Sequence, residues 1–487
     1  MSEDIFKSAV VHHSKKNFLK AKELYENLLK TNPENLAILQ NYASLLSQTK
    51  EYKKAEDIFK KCLNIKPKDP LLLYNYGKLF HDQKIYDKAI SFYNKSFESN
   101  PKNDMSQYNI GNIYLTQGKL ESAIENFKRA VKINPSNFLA YNNIGLSFKK
   151  LGKFNESLKF YKKAIDINKD YVEGHVNYST MLLLVNKLDL GFEEYEWRKK
   201  SKIFSAYLNY SKLNLKTPIW KGEKLDKKTI LIFSEQGIGD LIQFSRYLFL
   251  LIDTYECKVI FRLKQNLSHF FDKNRFEIIT ETQKIPQHDY HNHLASLPGI
   301  FYQKNKSFPK TVNFIKGNEK ITQKWHDTLS KYKGLKIGIN NTASSDMTGS
   351  RIIPLENFKI LTSLKNINFF LIQKDFNKNK MKIINENSNV NYFENMDQSV
   401  KPFEDTIGIV KNLDLVITAD TSLGHLSATL GKPTWIVLSF VSDWRWFDQD
   451  EKSIWYENVL LYRQKKIGDW DQVFRLIGKD LEKKFIN

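Results

Sequence analysis

"NPSNFLAYNNIGLSFKKLGKFNESLKFYKKAIDI", Asn134 to Ile167, is one period of a pattern that returns every 34 residues. Its proline, Pro135, has counterparts at Pro33, Pro67 and Pro101; the next step, Lys169, loses the proline but keeps the turn chemistry of "INKDY". Its small residue, Ser157, follows Ala21, Ala55, Ala89 and Ala123. Its aromatic, Tyr161, follows Tyr25, Phe59, Tyr93 and Phe127, and Gly145 keeps step with Gly77 and Gly111. A fixed period of this length means a repeat architecture. Small residues let two helices approach, the aromatics fill the space between them, and proline ends the second helix because it cannot continue one.

The pattern resembles the tetratricopeptide repeat, a pair of antiparallel helices that stacks into a right-handed superhelix with a concave groove. Five registered units and a degenerate sixth, from about Tyr171 to Lys200 and ending in "GFEEYEWRKK", predict an all-α array over residues 1–200. Asn41, Asn75, Asn109, Asn143 and Asn177 share the 34-residue step, on the helix that lines the concave face in this family. An amide side chain offers both donor and acceptor. In one reading the asparagines grip the backbone of an extended peptide, an arrangement similar to the asparagine ladder of the eukaryotic O-linked N-acetylglucosamine transferase. In the other, each asparagine bonds a neighbouring repeat and holds the stack. The first implies a protein or peptide acceptor in the groove.

After Lys200 the period stops, and residues 201–226 form a connector without helical or strand period. "TILIFSEQGIGDLIQFSRYLFLLI" then begins at Thr229. Ile230 to Phe233 read as a buried strand. Gly237 and Gly239 punctuate the turn, and Asp240 is placed to cap the helix that follows. Strand, glycine loop and helix open a nucleotide-type α/β unit. The loop matches neither the dinucleotide G-x-G-x-x-G pattern nor the P-loop. Further strands are expected at 258–263 and 276–280, and a linker helix within 316–332. A second unit opens at Gly334 to Asn340 and continues at 369–373, 413–418 and 434–438. The expected division is a half at 227–315 and a half at 333–487, whose closing helix crosses back onto the first.

"ADTSLGHLSATLGKP", Ala419 to Pro433, is a strand-to-helix turn at the edge where open α/β sheets bind ligands. Free backbone N–H groups and the positive end of the helix dipole at Thr421 and Ser422 suit an anion such as a diphosphate. Capping by Asp420 or Thr421 alone is the plainer reading, and the two coexist. The run Leu413 to Leu438 resembles the donor-site motif of glycosyltransferase family 9, the lipopolysaccharide heptosyltransferases. "EQGIGDLIQFSRY", "SLPGIF" at Ser296 to Phe301 and "DWRWF" at Asp443 to Phe447 extend the resemblance from Thr229 to the C-terminus, and it is closest to bacterial proteins that carry repeats in front of such a domain.

That resemblance implies a GT-B fold, two Rossmann-like halves across a cleft, with the acceptor on the first half and the donor on the second. The expected architecture is therefore multidomain: an all-α tetratricopeptide-repeat superhelix followed by an α/β GT-B-type pair of Rossmann-like domains. It implies an inverting, metal-independent transfer with a nucleotide sugar as co-substrate and no cofactor. Asp240 becomes the general base. Thr421, Ser422, Gly424 and His425 hold the diphosphate or its sugar, and Asp420 lies near a sugar hydroxyl. Arg351 and Lys374, both after strands of the donor half, are candidates to neutralise the leaving group. The segment "GINNTASSDMTGSRIIPL" departs from the relatives' V-W-x-G-N and H-x-N-D-x-x-R-S, lacking their Trp and His, which leaves a different sugar or lost activity open.

In "HDYHNHLASLP", His288, His291 and His293 invite a metal. The segment reads as a loop with no carboxylate pair at helical spacing, so the expectation is no metal and a cleft-facing loop with His291 touching the acceptor. Trp444 and Trp446 either stack on a base or sugar or simply pack.

Composition narrows the partners. The 487 residues carry a net charge of +21, but the excess is lysine scattered over polar helix faces, so nucleic acid is not an expected partner. No apolar run reaches the roughly 18 residues of a membrane span. The N-terminus "MSEDIFKSAV" lacks the pattern of a secretion signal. The two cysteines, Cys62 and Cys257, suit a reducing compartment. A cytoplasmic protein is expected, with peripheral contact to an anionic membrane left open. Three functions follow: sugar transfer to a protein held by the repeats, transfer to a glycolipid core, or a repeat scaffold with a degenerate transferase domain.

Overall fold

The computed structural model describes residues 2–201, 213, 215–263, 267–342, 351–373, 386, 389–399, 401–449 and 451–486. The chain divides into two compact units, Met1–Tyr178 and Ser179–Asn487.

Helix pairs recur with the sequence period: Ser2–Ser14 with Phe18–Thr31, Leu36–Gln48 with Tyr52–Ile65, Pro70–Asp82 with Tyr86–Ser99, Asp104–Thr116 with Leu120–Ile133, and Phe138–Lys150 with Phe154–Ile167. A last pair, Val172–Leu184 and Leu188–Tyr195, follows, and the boundary between the units falls inside its first helix rather than at Lys200. A further register position sets the helix starts. The side chains of Asn35, Asp69, Asn103 and Asn137 cap the first helices by accepting from first-turn N–H groups. The glycines and aromatics act as one device. A Cβ on Gly77, Gly111 or Gly145 would stand 2.9, 2.6 or 2.7 Å from the ring of Tyr93, Phe127 or Tyr161.

The second unit holds two wholly parallel sheets. The first contains β1 (Thr229–Phe233), β2 (Lys258–Leu263), β3 (Glu277–Thr280) and β4 (Tyr290–His293), in the order β3-β2-β1-β4. The second contains β5 (Leu335–Asn340), β6 (Ile367–Leu371), β7 (Val390–Tyr392), β8 (Leu415–Ala419), β9 (Thr434–Leu438) and β10 (Val459–Arg463), in the order β10-β9-β8-β5-β6-β7. Counted within the second sheet, this is the doubly wound order of nucleotide-binding folds, with its switch point between β5 and β8; in the first sheet the switch lies between β1 and β4. Ligands of such sheets bind outside the carboxyl ends of those strands.

Three expectations are corrected. The segment with the three histidines is not all loop: His291 and His293 lie on strand β4, Tyr290–His293, paired with β1, and His288 precedes it. A parallel strand is covered on both faces and shows no alternation, and this one is polar besides. The connector reaches the same edge, where Trp220 donates its backbone N–H to the His291 carbonyl and His291 donates its own to that of Pro218. Strands β7 and β10 were not expected. The closing helix, Trp470–Leu481, does not cross back: Val473, Phe474, Ile477 and Leu481 belong to the core of the second sheet. No helix among the described residues is long and apolar enough to cross a membrane.

Because the Gly111 contact is the tightest of its set, Gly111→Ala should lower stability by about 1–3 kcal/mol. Thermal or denaturant unfolding of the two proteins reads the difference.

Candidate functional site

At the end of β1 the chain turns through Gln236, whose backbone is left-handed with φ 64°. That conformation costs a non-glycine residue about 1–3 kcal/mol and persists only where neighbours hold it. Here Gln236 donates from Nε2 to the Tyr195 hydroxyl at 2.6 Å and accepts at Oε1 from Arg445 Nη2 at 3.0 Å. Gly237 then caps the helix Ile238–Phe244, and the Asp240 carboxylate accepts from the Gly237 N–H at 3.0 Å. Asp240 thus serves as a cap, and its other oxygen pairs with Arg445.

Arg445 comes from the second half, on the turn after β9. It also donates to Asp443 Oδ1 at 2.7 Å, while Arg351 stands 3.6 Å from both Asp443 and Asp420. The chain of charges runs Asp240, Arg445, Asp443, Arg351, Asp420, across the two carboxyl edges. Burial would push the Asp443 carboxyl up, but the two guanidiniums bring it down to about 2. Burial and the neighbouring Asp443 push that of Asp420 up. Burial opposes the charge of Arg445, yet Asp240 and Asp443 hold its pKa well above the usual value.

The helix Ser422–Thr429 begins beside this cluster. Thr421 occupies its N-cap without a side-chain cap bond; its hydroxyl lies 3.0 Å from that of Thr418. Gly239 faces this start closely, for a Cβ there would stand 2.9 Å from the His425 ring and 3.7 Å from Ser422 Cα. Gly424 lies against Ile436 and Thr418, a packing role. The His425 ring stacks on Trp446 and its Nδ1 lies 3.0 Å from the Tyr456 hydroxyl. Burial, with Arg445 and Arg246 nearby, drives its pKa down to about 3, so the imidazole is neutral. Trp444 and Trp446 are buried and pack. Trp444 meets Tyr195 edge-on at 5.6 Å.

The remaining expected residues fall elsewhere. His291 is buried in β4, with Nδ1 2.9 Å from the Thr217 hydroxyl, which also lies 2.9 Å from His288 Nε2. Burial and His288 lower the His291 pKa to about 4. Among the described residues, no three His, Cys, Asp or Glu side chains are grouped to hold a metal. Lys374 lies outside the described residues. Asp443, Arg445 and Gln236 were missed; for the first two the signal available was a charged Asp-x-Arg in the turn that follows β9.

In the first unit the asparagines mainly bond back. Asn109 donates to the Tyr74 hydroxyl at 2.7 Å, Asn143 to Asn112 at 2.8 Å and to the Tyr108 hydroxyl at 3.4 Å, and Asn177 to Asn142 at 2.9 Å. Each partner belongs to the preceding repeat, as the stack-holding reading requires. Asn41 bonds its own helix at Ala37, and Asn75 is half-buried.

Tetratricopeptide-repeat families match residues 13–79, 71–103 and 138–171, and a TPR-repeat family matches residues 111–152. Solved structures similar to the chain include a MamA protein at 22% identity, covering 35% of this chain and 94% of that one, with a TM-score of 0.30. PilF of Pseudomonas aeruginosa is 16% identical, covering 43% and 95%, with a TM-score of 0.37. YrrB, described as a TPR protein with an unusual peptide-binding site, is 17% identical, covering 39% and 97%, with a TM-score of 0.31. No curated protein matches. The N-terminal region is thus a tetratricopeptide array, an architecture built as a protein-interaction scaffold.

His425 yields a pH prediction. Its folded pKa lies below the unfolded value near 6.5, so the unfolded chain binds the extra proton and stability falls as pH drops from about 6.5 toward 3. The slope from this group is at most about 1.4 kcal/mol per pH unit. His425→Gln should flatten that part of the stability–pH curve measured by urea unfolding.

Proposed function

We propose that the second unit transfers a sugar from a nucleotide-activated donor, and that the repeat array presents a protein or peptide acceptor. The observation that carries this reading is the cluster of two arginines and three aspartates at the carboxyl edges of two nucleotide-fold sheets. The resemblance of Thr229 to the C-terminus to glycosyltransferase family 9 supports it. In this reaction the Asp240 carboxylate takes the proton of an acceptor hydroxyl. The hydroxyl oxygen bonds to the anomeric carbon as the bond from that carbon to the phosphate oxygen breaks. The nucleoside diphosphate leaves with the electron pair, its charge met by Arg351 and by the helix start at Thr421 and Ser422. The neutral ring of His425 supports that start by filling the space beneath Gly239. A glycolipid acceptor fits the same chemistry without giving the array a task.

One observation favours a second reading, a scaffold whose transferase half has lost activity: both arginines already have carboxylate partners from the chain itself.

Incubation with ADP-, GDP-, UDP- and CMP-linked sugars separates the two. Slow release of the nucleotide from one of them is expected. Arg351→Gln should reduce it about 10²-fold, and Asp240→Asn should reduce acceptor transfer by about 10²-fold or more. No binding of any donor or nucleotide at millimolar concentration would leave the scaffold reading.

A further inference from the structure

Arg445 is the residue on which this inference turns, and it rests on the transferase reading above. Its guanidinium bridges Asp240 and Gln236 of the first half to Asp443 of the second. It is 9% exposed and lies over the rings of Trp444 and Phe244, at 4.6 and 5.5 Å from their centroids. The residue thus belongs to a built site rather than to the surface.

Its two carboxylate partners are not equivalent. Asp443 sits on the same short turn and accepts from the Arg445 backbone N–H at 3.1 Å as well as from the side chain. That pair stays together however the halves move. Asp240 comes from the opposite half and keeps its bond to the Gly237 N–H when Arg445 is withdrawn. Of the two carboxylate bonds, the one to Asp240 is therefore the one that can break without orphaning either carboxylate. An entering diphosphate offers Arg445 a replacement of the same charge and geometry, since guanidinium binds phosphate and carboxylate in the same forked manner.

We infer that Arg445 exchanges Asp240 for the diphosphate of the donor, so that donor binding and release of the Asp240 carboxylate are one event. Before the exchange, one Asp240 oxygen is held by Arg445 and the other by the Gly237 N–H, so neither is turned to an acceptor hydroxyl. After it, the carboxylate stands free beside the acceptor while Arg445 joins Arg351 on the leaving group. The device keeps the base masked until a donor is in place. It also makes Asp240 a competitor of the donor: if the ion pair keeps nine-tenths of the molecules closed, the apparent affinity is reduced about tenfold.

Calorimetric titration of the full chain with ADP, GDP and UDP tests this on wild type, Asp240→Asn and Arg445→Lys, each first shown by thermal unfolding to be folded. Asp240→Asn, which removes the competing charge, should bind the preferred diphosphate about tenfold more tightly than wild type. Arg445→Lys, which loses the fork, should bind it more weakly. Wild-type binding with unchanged or weaker affinity in Asp240→Asn overturns the exchange and leaves the transferase reading standing. Absence of binding by all three proteins overturns both.

Discussion

Arg445 joins the two α/β halves, and the geometry of the site follows from where it stands. A parallel sheet covers both faces with helices and leaves its carboxyl edge for chemistry. Here two such edges meet, and complementary charge is set where they do. Asp240, Asp443 and Asp420 would repel one another at this spacing. The guanidiniums of Arg445 and Arg351, set between them, turn the repulsion into an alternating chain. Breaking a buried pair by removing one partner commonly costs about 3–5 kcal/mol, because the other charge is left without compensation.

The same edge carries strain and close packing. Gln236 is held left-handed between Tyr195 and Arg445. Gly239 lacks a side chain where His425 needs the room. Tyr195 and Arg198, at the end of the last helix pair, belong to this neighbourhood: Arg198 donates to buried Glu235 at 2.7 Å and to Ser296 at 2.9 Å. The residues that end the repeat pattern in sequence thus serve the α/β unit, fastening the segment before the glycine loop.

The array was legible because one constraint recurs at each step. A small residue on one helix, Ala9, Ala43, Gly77, Gly111 or Gly145, admits an aromatic sixteen residues on from the next, and both recur every 34 residues. The apolar strands β1, β2, β5, β8 and β9 were legible as runs bounded by turn residues. Strand β4 was not, since "YHNH" carries no apolar signal and owes its place to pairing with β1. In the site, Asp240, Arg351 and Asp420 stood out by position and resemblance. Asp443 and Arg445 did not, because "DWRWF" draws attention to its tryptophans, whereas those rings are buried and the arginine between them reaches the other half. The asparagines show the converse: their period was plain, but not that Asn109 and Asn143 would spend their amides on tyrosines one repeat back.

In the proposed reading, the carboxyl edges of the two sheets form one anion site, with Arg351, Arg445 and the start of the helix Ser422–Thr429 as its walls. A crystal structure of the protein soaked or grown with its preferred nucleoside diphosphate tests this most directly. Phosphate oxygens are expected between the two guanidiniums and the Thr421–Ser422 amides. Phosphates bound elsewhere, with the Arg445–Asp240 pair intact, would contradict it.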